Sequence, residues 1–164
     1  MHFSLLHSER IDGLIVADIA PVDYPNRHEH ILEVLSHIHP EELASRQAIE
    51  RELSRHFNDP SFRKFLLKGV KKHGDSYRWT FNLASIIRGY SGLQEAVLGW
   101  QPHEGPVLFL RGGESDYVQE EHLVLIRTLF PYAEIETIER AGHWIHADAP
   151  KEFGDRVMAF LDRA

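Results

Sequence analysis

Pro106-Val107-Leu108-Phe109-Leu110-Arg111-Gly112-Gly113 decides how the chain is read. Four consecutive apolar side chains between a proline and a glycine pair are too short a run for an amphipathic helix and suit a strand covered on both faces. The glycine pair reads as a turn. Downstream, Gln119 to Phe130 has helical spacing and Ile135 to Ile138 is a shorter strand. Pro150 to Leu161 then forms a last helix, with Phe153, Val157, Phe160 and Leu161 inward and Asp148 as a candidate cap. Upstream, Leu14-Ile15-Val16-Ala17 between Gly13 and Asp18 is a second short apolar run, read as another strand buried on both faces. Strands alternating with helical segments predict an α/β fold with a short parallel sheet and flanking helices.

Between the two strands the texture is helical. Asn26 to Ile38 and Glu41 to Phe57 are amphipathic and split at His39-Pro40, and a third helix starts at Asp59-Pro60-Ser61 with Asp59 as N-cap. An aromatic stretch from Tyr77 to Phe81 follows Gly74-Asp75, and a further helix runs from Leu83 to about Leu98. Met1 to Ser8 reads as the tail of a helix. The predicted organisation is therefore a core segment over 1–25, a helical cap over 26–98, and the C-terminal part of the core over 99–164.

The 164 residues contain no cysteine and carry a formal net charge of -7. Disulfides, thiolate catalysis and sulfur-based zinc sites are excluded, and nucleic acid is an unfavoured partner. The one basic cluster, Lys68, Lys71 and Lys72, reads as a solvated helix end. No apolar run is long enough to span a membrane and no signal-peptide pattern opens the chain, so the expectation is a cytoplasmic protein without a membrane partner. Among the 12 histidines, His28, His30, His37 and His39 crowd together, but their spacing supplies no clean metal pair. A solvated histidine-rich face is expected, with no metal and no cofactor.

In a doubly wound sheet, ligand sites gather beyond the carboxyl ends of the strands. Asp18 follows the first strand, Glu114-Ser115-Asp116 the second, and Gly142-His143-Trp144 the third. A histidine and an acid at neighbouring strand ends can meet as a general base and its orienting carboxylate. Read singly, Asp18 is more readily a turn former or helix cap and His143 a surface or core-edge residue.

Three blocks make the reading specific: Val16-Ala17-Asp18-Ile19-Ala20-Pro21-Val22-Asp23-Tyr24, Leu108-Phe109-Leu110-Arg111-Gly112-Gly113-Glu114-Ser115, and Ala141-Gly142-His143-Trp144-Ile145-His146-Ala147. Together they resemble the YbfF-type esterases and their mitochondrial abhydrolase relatives within the α/β-hydrolase superfamily. The resemblance implies a serine hydrolase of small acyl esters or thioesters with a helical cap. On it His143 is the general base, Asp18 its acid partner in preference to Asp116, and Ser115 a residue that helps hold the histidine. Trp79, Tyr90 and Trp144 are candidate substrate-lining aromatics, with Phe81, Tyr77 and Trp100 as further members of that set.

The family's nucleophile elbow, Gly-x-Ser-x-Gly, does not occur in the 164 residues. Gly89-Tyr90-Ser91-Gly92 comes nearest, and it reads as a helix break within the cap. The expectation is a truncated form that starts just after the serine and is inactive alone. The alternative is a non-catalytic binding module that self-associates through the unpaired edge of its first strand.

Overall fold

The computed structural model describes residues 1–99 and 101–163, so Trp100 lies outside the described residues. Along the chain run α1 (His2–Leu6), β1 (Leu14–Ala17), α2 (Glu29–His37), α3 (Arg46–Ser54), α4 (Pro60–Lys68), β2 (Val70–His73), β3 (Ser76–Trp79) and α5 (Leu83–Gln94). They are followed by β4 (Val107–Gly112), α6 (Leu123–Leu129), β5 (Ala133–Ile138), α7 (Ile145–Asp148) and α8 (Pro150–Leu161). Two compact units result, one of Met1–Asp23 with Glu95–Ala164 and one of Tyr24–Gln94.

The first unit is built on a parallel sheet of order β1-β4-β5, as the alternation of strands and helices requires. Strand β4 is its centre, and the period-two alternation of side chains divides the core in two. Leu108 and Leu110 join Ile138, Ala141, Ile145 and Phe160, with Phe153 and Val157 of α8 packed against them. Val107 and Phe109 are buried as well, and the Phe109 ring lies 5.5 Å from that of Phe130 at the end of α6. Strand β1 lies at a sheet edge, and its burial is partial: Val16 is buried while Ala17 is exposed. Leu161 does not join the inner face of α8 and is 54% exposed, because the turn that holds it is the last of the helix.

The second unit departs from the all-helical expectation. Val70–His73 pairs antiparallel with Ser76–Trp79, so Lys71 and Lys72 lie on a strand instead of a helix end. The two-residue loop is Gly74-Asp75, with Gly74 at φ 62°, as type II′ hairpin turns require at their first position. Its core joins Val34 and Leu35 of α2, and Ile38 just beyond it, to Ile49, Leu53, Leu66, Leu67 and Val70. Asp59 caps α4 as expected, its carboxylate accepting from Ser61 N–H at 2.8 Å. Helix α3 starts later than expected because Ser45 is its N-cap, accepting from Ala48 N–H at 3.1 Å. Gly89 and Gly92 do not break a helix; they lie within α5 on its exposed side. The apolar spacing of Leu83, Ile86, Ile87 and Tyr90 offsets their cost of about 1 kcal/mol each.

Candidate active site

The three strand ends singled out in the sequence converge within the first unit. Asp18 takes the left-handed conformation, φ 47°, directly after β1, and its N–H still donates to Leu110 O at 2.8 Å. That bend turns the side chain back over the end of β4. Aspartate is among the few residues other than glycine that tolerate this region, so residue type and local backbone agree.

The Asp18 carboxylate is 1% exposed and holds three groups. Gly112 N–H donates to Oδ1 at 2.8 Å. Ser115 Oγ–H donates to Oδ2 at 2.5 Å, and His143 Nδ1–H donates to the same oxygen at 2.8 Å. A buried carboxylate requires such a set, since an unpaired charge there would be expelled or protonated. Because the ionised oxygen can only accept, the ring proton sits on Nδ1 and leaves the Nε2 lone pair available.

His143 is otherwise open, its side chain 41% exposed. One face of the imidazole lies on Tyr117, ring centroids 3.7 Å apart and planes 14° from parallel. The loop that presents it is braced from both ends. Gly142 N–H donates to Asp148 Oδ2 at 2.9 Å, so Asp148 ties this loop down instead of capping α8. On the β4 side, a β-carbon on Gly112 would stand 2.4 Å from Gly142 O and 2.5 Å from Ala141 O. Gly112-Gly113 is therefore less a turn than a place where two backbones meet.

Asp116, the other candidate acid, is exposed, and its carbonyl accepts from Gln119 Nε2. Trp144 is half-buried beside His143. Trp79 and Tyr90 belong to the second unit. The Trp79 indole packs against that unit's core and donates to Ile38 O at 3.3 Å, while Tyr90 OH lies 2.5 Å from His28 Nδ1 and lines a pocket of about 280 Å³. His28 is accordingly half-buried and engaged, not part of a solvated face. Sequence reasoning missed Tyr117 and the Gly112 N–H. The first carries a weak signal as an aromatic two residues beyond Ser115, and the second, being backbone, carries none.

A short parallel sheet with helices around it, and an acid and a histidine meeting beyond its carboxyl ends, define the α/β-hydrolase fold class. The comparisons agree. A marine microorganism esterase superimposes with a TM-score of 0.93 at 37% identity, over 96% of this chain and 64% of that one. The sn-1-specific diacylglycerol lipase ABHD11 of Mus musculus is 35% identical over 98% of the chain, and esterase YbfF of Escherichia coli 33% over 99%. The chain is a relative of these α/β-hydrolase esterases and lipases, and corresponds to their C-terminal portions. It spans 54% of the length of the mouse protein and 62% of the bacterial one. No protein-family model matches the sequence. Among the described residues, no helix is long and apolar enough to cross a membrane.

Proposed function

We propose that this chain carries the general-base half of a serine-esterase relay acting on carboxylic esters or thioesters. The observation that carries the reading is the single buried carboxylate of Asp18 holding His143 Nδ1 and Ser115 Oγ together. In this role His143 Nε2 takes the proton of an attacking hydroxyl and returns it to the leaving group. Asp18 fixes the tautomer and stabilises the imidazolium. Ser115 orients Asp18 and is not the nucleophile, since its hydroxyl is donated away to the carboxylate. The names of the relatives, an esterase and a diacylglycerol lipase, support carboxylic esters as the substrate class.

No Gly-x-Ser-x-Gly occurs in the 164 residues, so the nucleophile and oxyanion donors are supplied in this reading by polypeptide outside them. By itself the chain is expected to hydrolyse p-nitrophenyl butyrate no faster than its His143→Ala variant. The decisive experiment fuses it behind the N-terminal portion of the Escherichia coli relative. Ester hydrolysis by the chimera should fall by about four orders of magnitude or more with His143→Ala. An active chimera indifferent to His143 sinks the proposal.

A rival reading, a binding module that self-associates, draws on β1 lying at the sheet edge. Light scattering that finds only monomer counts against it.

A further inference from the structure

Charge is divided unequally between the two units. Met1–Asp23 with Glu95–Ala164 carries seven Lys and Arg against seventeen Asp and Glu, whereas Tyr24–Gln94 carries eleven against eight. A chain of net charge -7 thus contains a cationic unit. The excess is concentrated between residues 60 and 94, where Asp75 is the one acid. Arg63 in that stretch is committed to Glu50. Lys64, Lys68, Lys71, Lys72, Arg78 and Arg88 have no carboxylate partner among the described residues. Lys71 even stands opposite Arg78 in the β2–β3 pair, a placement that costs repulsion within the fold.

An apolar groove of about 420 Å³ lies between this stretch and α2. Leu32, Leu35, Phe65, Leu66, Phe81 and Ile86 line it, and Lys68 forms part of its wall. Phe65 is 50% exposed, and α5 buries none of its twelve residues, although one side of it is apolar. Lys64, Phe65 and Lys68 are all exposed on α4, Lys68 lying four residues after Lys64 and three after Phe65, the spacings that bring helix side chains together. An exposed aromatic flanked by two lysines at an apolar groove combines apolar and electrostatic attraction, and the hairpin that follows α4 adds exposed cations, Lys71 and Arg78 on one of its faces and Lys72 on the other.

We infer that this surface of the Tyr24–Gln94 unit docks on an anionic lipid–water interface. Phe65 and the groove meet the acyl boundary, Lys64 and Lys68 meet the headgroups, and the hairpin's cations add attraction to the charged surface over the screening length. Charge and the apolar lining together decide the occupant. A two-fold pair through this face would set one cationic surface against another, and a head-to-tail contact would seat the groove's leucines on the strongly acidic first unit. Nucleic acid has no use for a groove lined by leucines, and a single soluble amphiphile has one headgroup for cations spread over a helix and a hairpin. The inference is independent of the catalytic reading. It revises the expectation that no membrane is a partner, which considered spans and treated the three lysines as a helix end.

The test is co-sedimentation of the full chain with phosphatidylcholine vesicles prepared with and without phosphatidylserine. Binding is expected with phosphatidylserine and should fade as salt rises, since the screening length falls from about 10 Å at 0.1 M to about 3 Å at 1 M. Replacing Lys68, Lys71 and Lys72 together by alanine should weaken it on the order of a hundredfold, about fivefold per cation. Phe65→Ser should weaken it separately. Circular dichroism and urea melts establish that both variants fold. Equal binding to the two vesicle types, or indifference to the triple variant, overturns the inference. So does a dimer abolished by Phe65→Ser, which would assign the surface to a second copy, or saturation by monomeric laurate without vesicle binding.

Discussion

Asp18→Asn preserves shape and tolerates the left-handed backbone equally well, yet it cannot reproduce the hydrogen bonds of the carboxylate. Three donors converge on Asp18: Gly112 N–H on Oδ1, and Ser115 Oγ–H with His143 Nδ1–H on Oδ2. An amide offers one oxygen. If that oxygen takes Gly112 N–H, the amide NH2 faces Ser115 and His143, which must both turn from donors into acceptors. Ser115 does so by rotating its hydroxyl. His143 does so only by moving its proton from Nδ1 to Nε2, which removes the lone pair a general base needs. The opposite amide orientation keeps the tautomer and instead sets NH2 against the buried Gly112 N–H, which cannot change its role.

Hydrogen bonds to a charged group are worth about 1.5–3 kcal/mol and neutral ones about 1, so converting the two bonds at Oδ2 costs roughly 1–4 kcal/mol. Against a total stability of about 5–15 kcal/mol this is measurable by urea denaturation. The tautomer is read from the imidazole nitrogen shifts of 15N-histidine-labelled protein above neutral pH. The wild-type chain should show Nδ1–H at His143 and the variant Nε2–H. A variant that keeps Nδ1–H, or that loses less than about 0.5 kcal/mol, refutes the account of the site.

Tyr117→Ala removes the ring stacked on His143 and should cost about 0.5–1.5 kcal/mol while broadening the His143 side-chain resonances; unchanged resonances would show that the stack holds nothing. Gly112→Ala places a methyl 2.4 Å from Gly142 O, so a loss of about 1–3 kcal/mol or more is expected, together with loss of the Nδ1 tautomer as the 139–142 loop is pushed from β4. His103 is fully buried, its Nδ1 lies 2.6 Å from Ser8 Oγ, and burial holds its pKa below the ordinary value. The unfolded chain therefore takes up the proton first. Stability should fall as pH drops below about 6.5 and level off below the folded pKa, and His103→Leu should flatten that slope in urea midpoints measured between neutral and acid pH.

What was legible in the sequence followed from how much signal each element carries. Strand β4 announces itself because the sheet's central strand is buried on both faces and so reads as a continuous apolar run. Helix α8 matches its expected bounds because proline opens it and its apolar residues keep one period. The β2–β3 hairpin escaped because Val70-Lys71-Lys72-His73 offers one apolar residue in four, and charge masks the period of two. At the site, sequence order placed Asp18, Ser115 and His143 at three strand ends, which topology alone brings near one another. It could not show that Gly112 contributes a backbone donor, nor that Asp148 serves the His143 loop instead of the helix it precedes.

The arrangement around Asp18 has a consequence for how such a chain retains its geometry without a nucleophile in its 164 residues. Among the described residues, the constraints on His143 come from within the first unit: the carboxylate from the end of β1, the glycine pair from the end of β4, Tyr117 from beyond it, and Asp148 from α7. A serine supplied from elsewhere adds nothing to that list. The pair is therefore preorganised by folding energy and not by substrate or nucleophile. Because the same carboxylate is 1% exposed, removing any of its donors is at once a loss of geometry and a loss of stability. Substitutions here separate the two effects only when the tautomer of His143 is measured beside the urea midpoint. A variant that shifts the tautomer by more than its stability loss explains has touched the chemistry, and one that lowers stability alone has touched the frame.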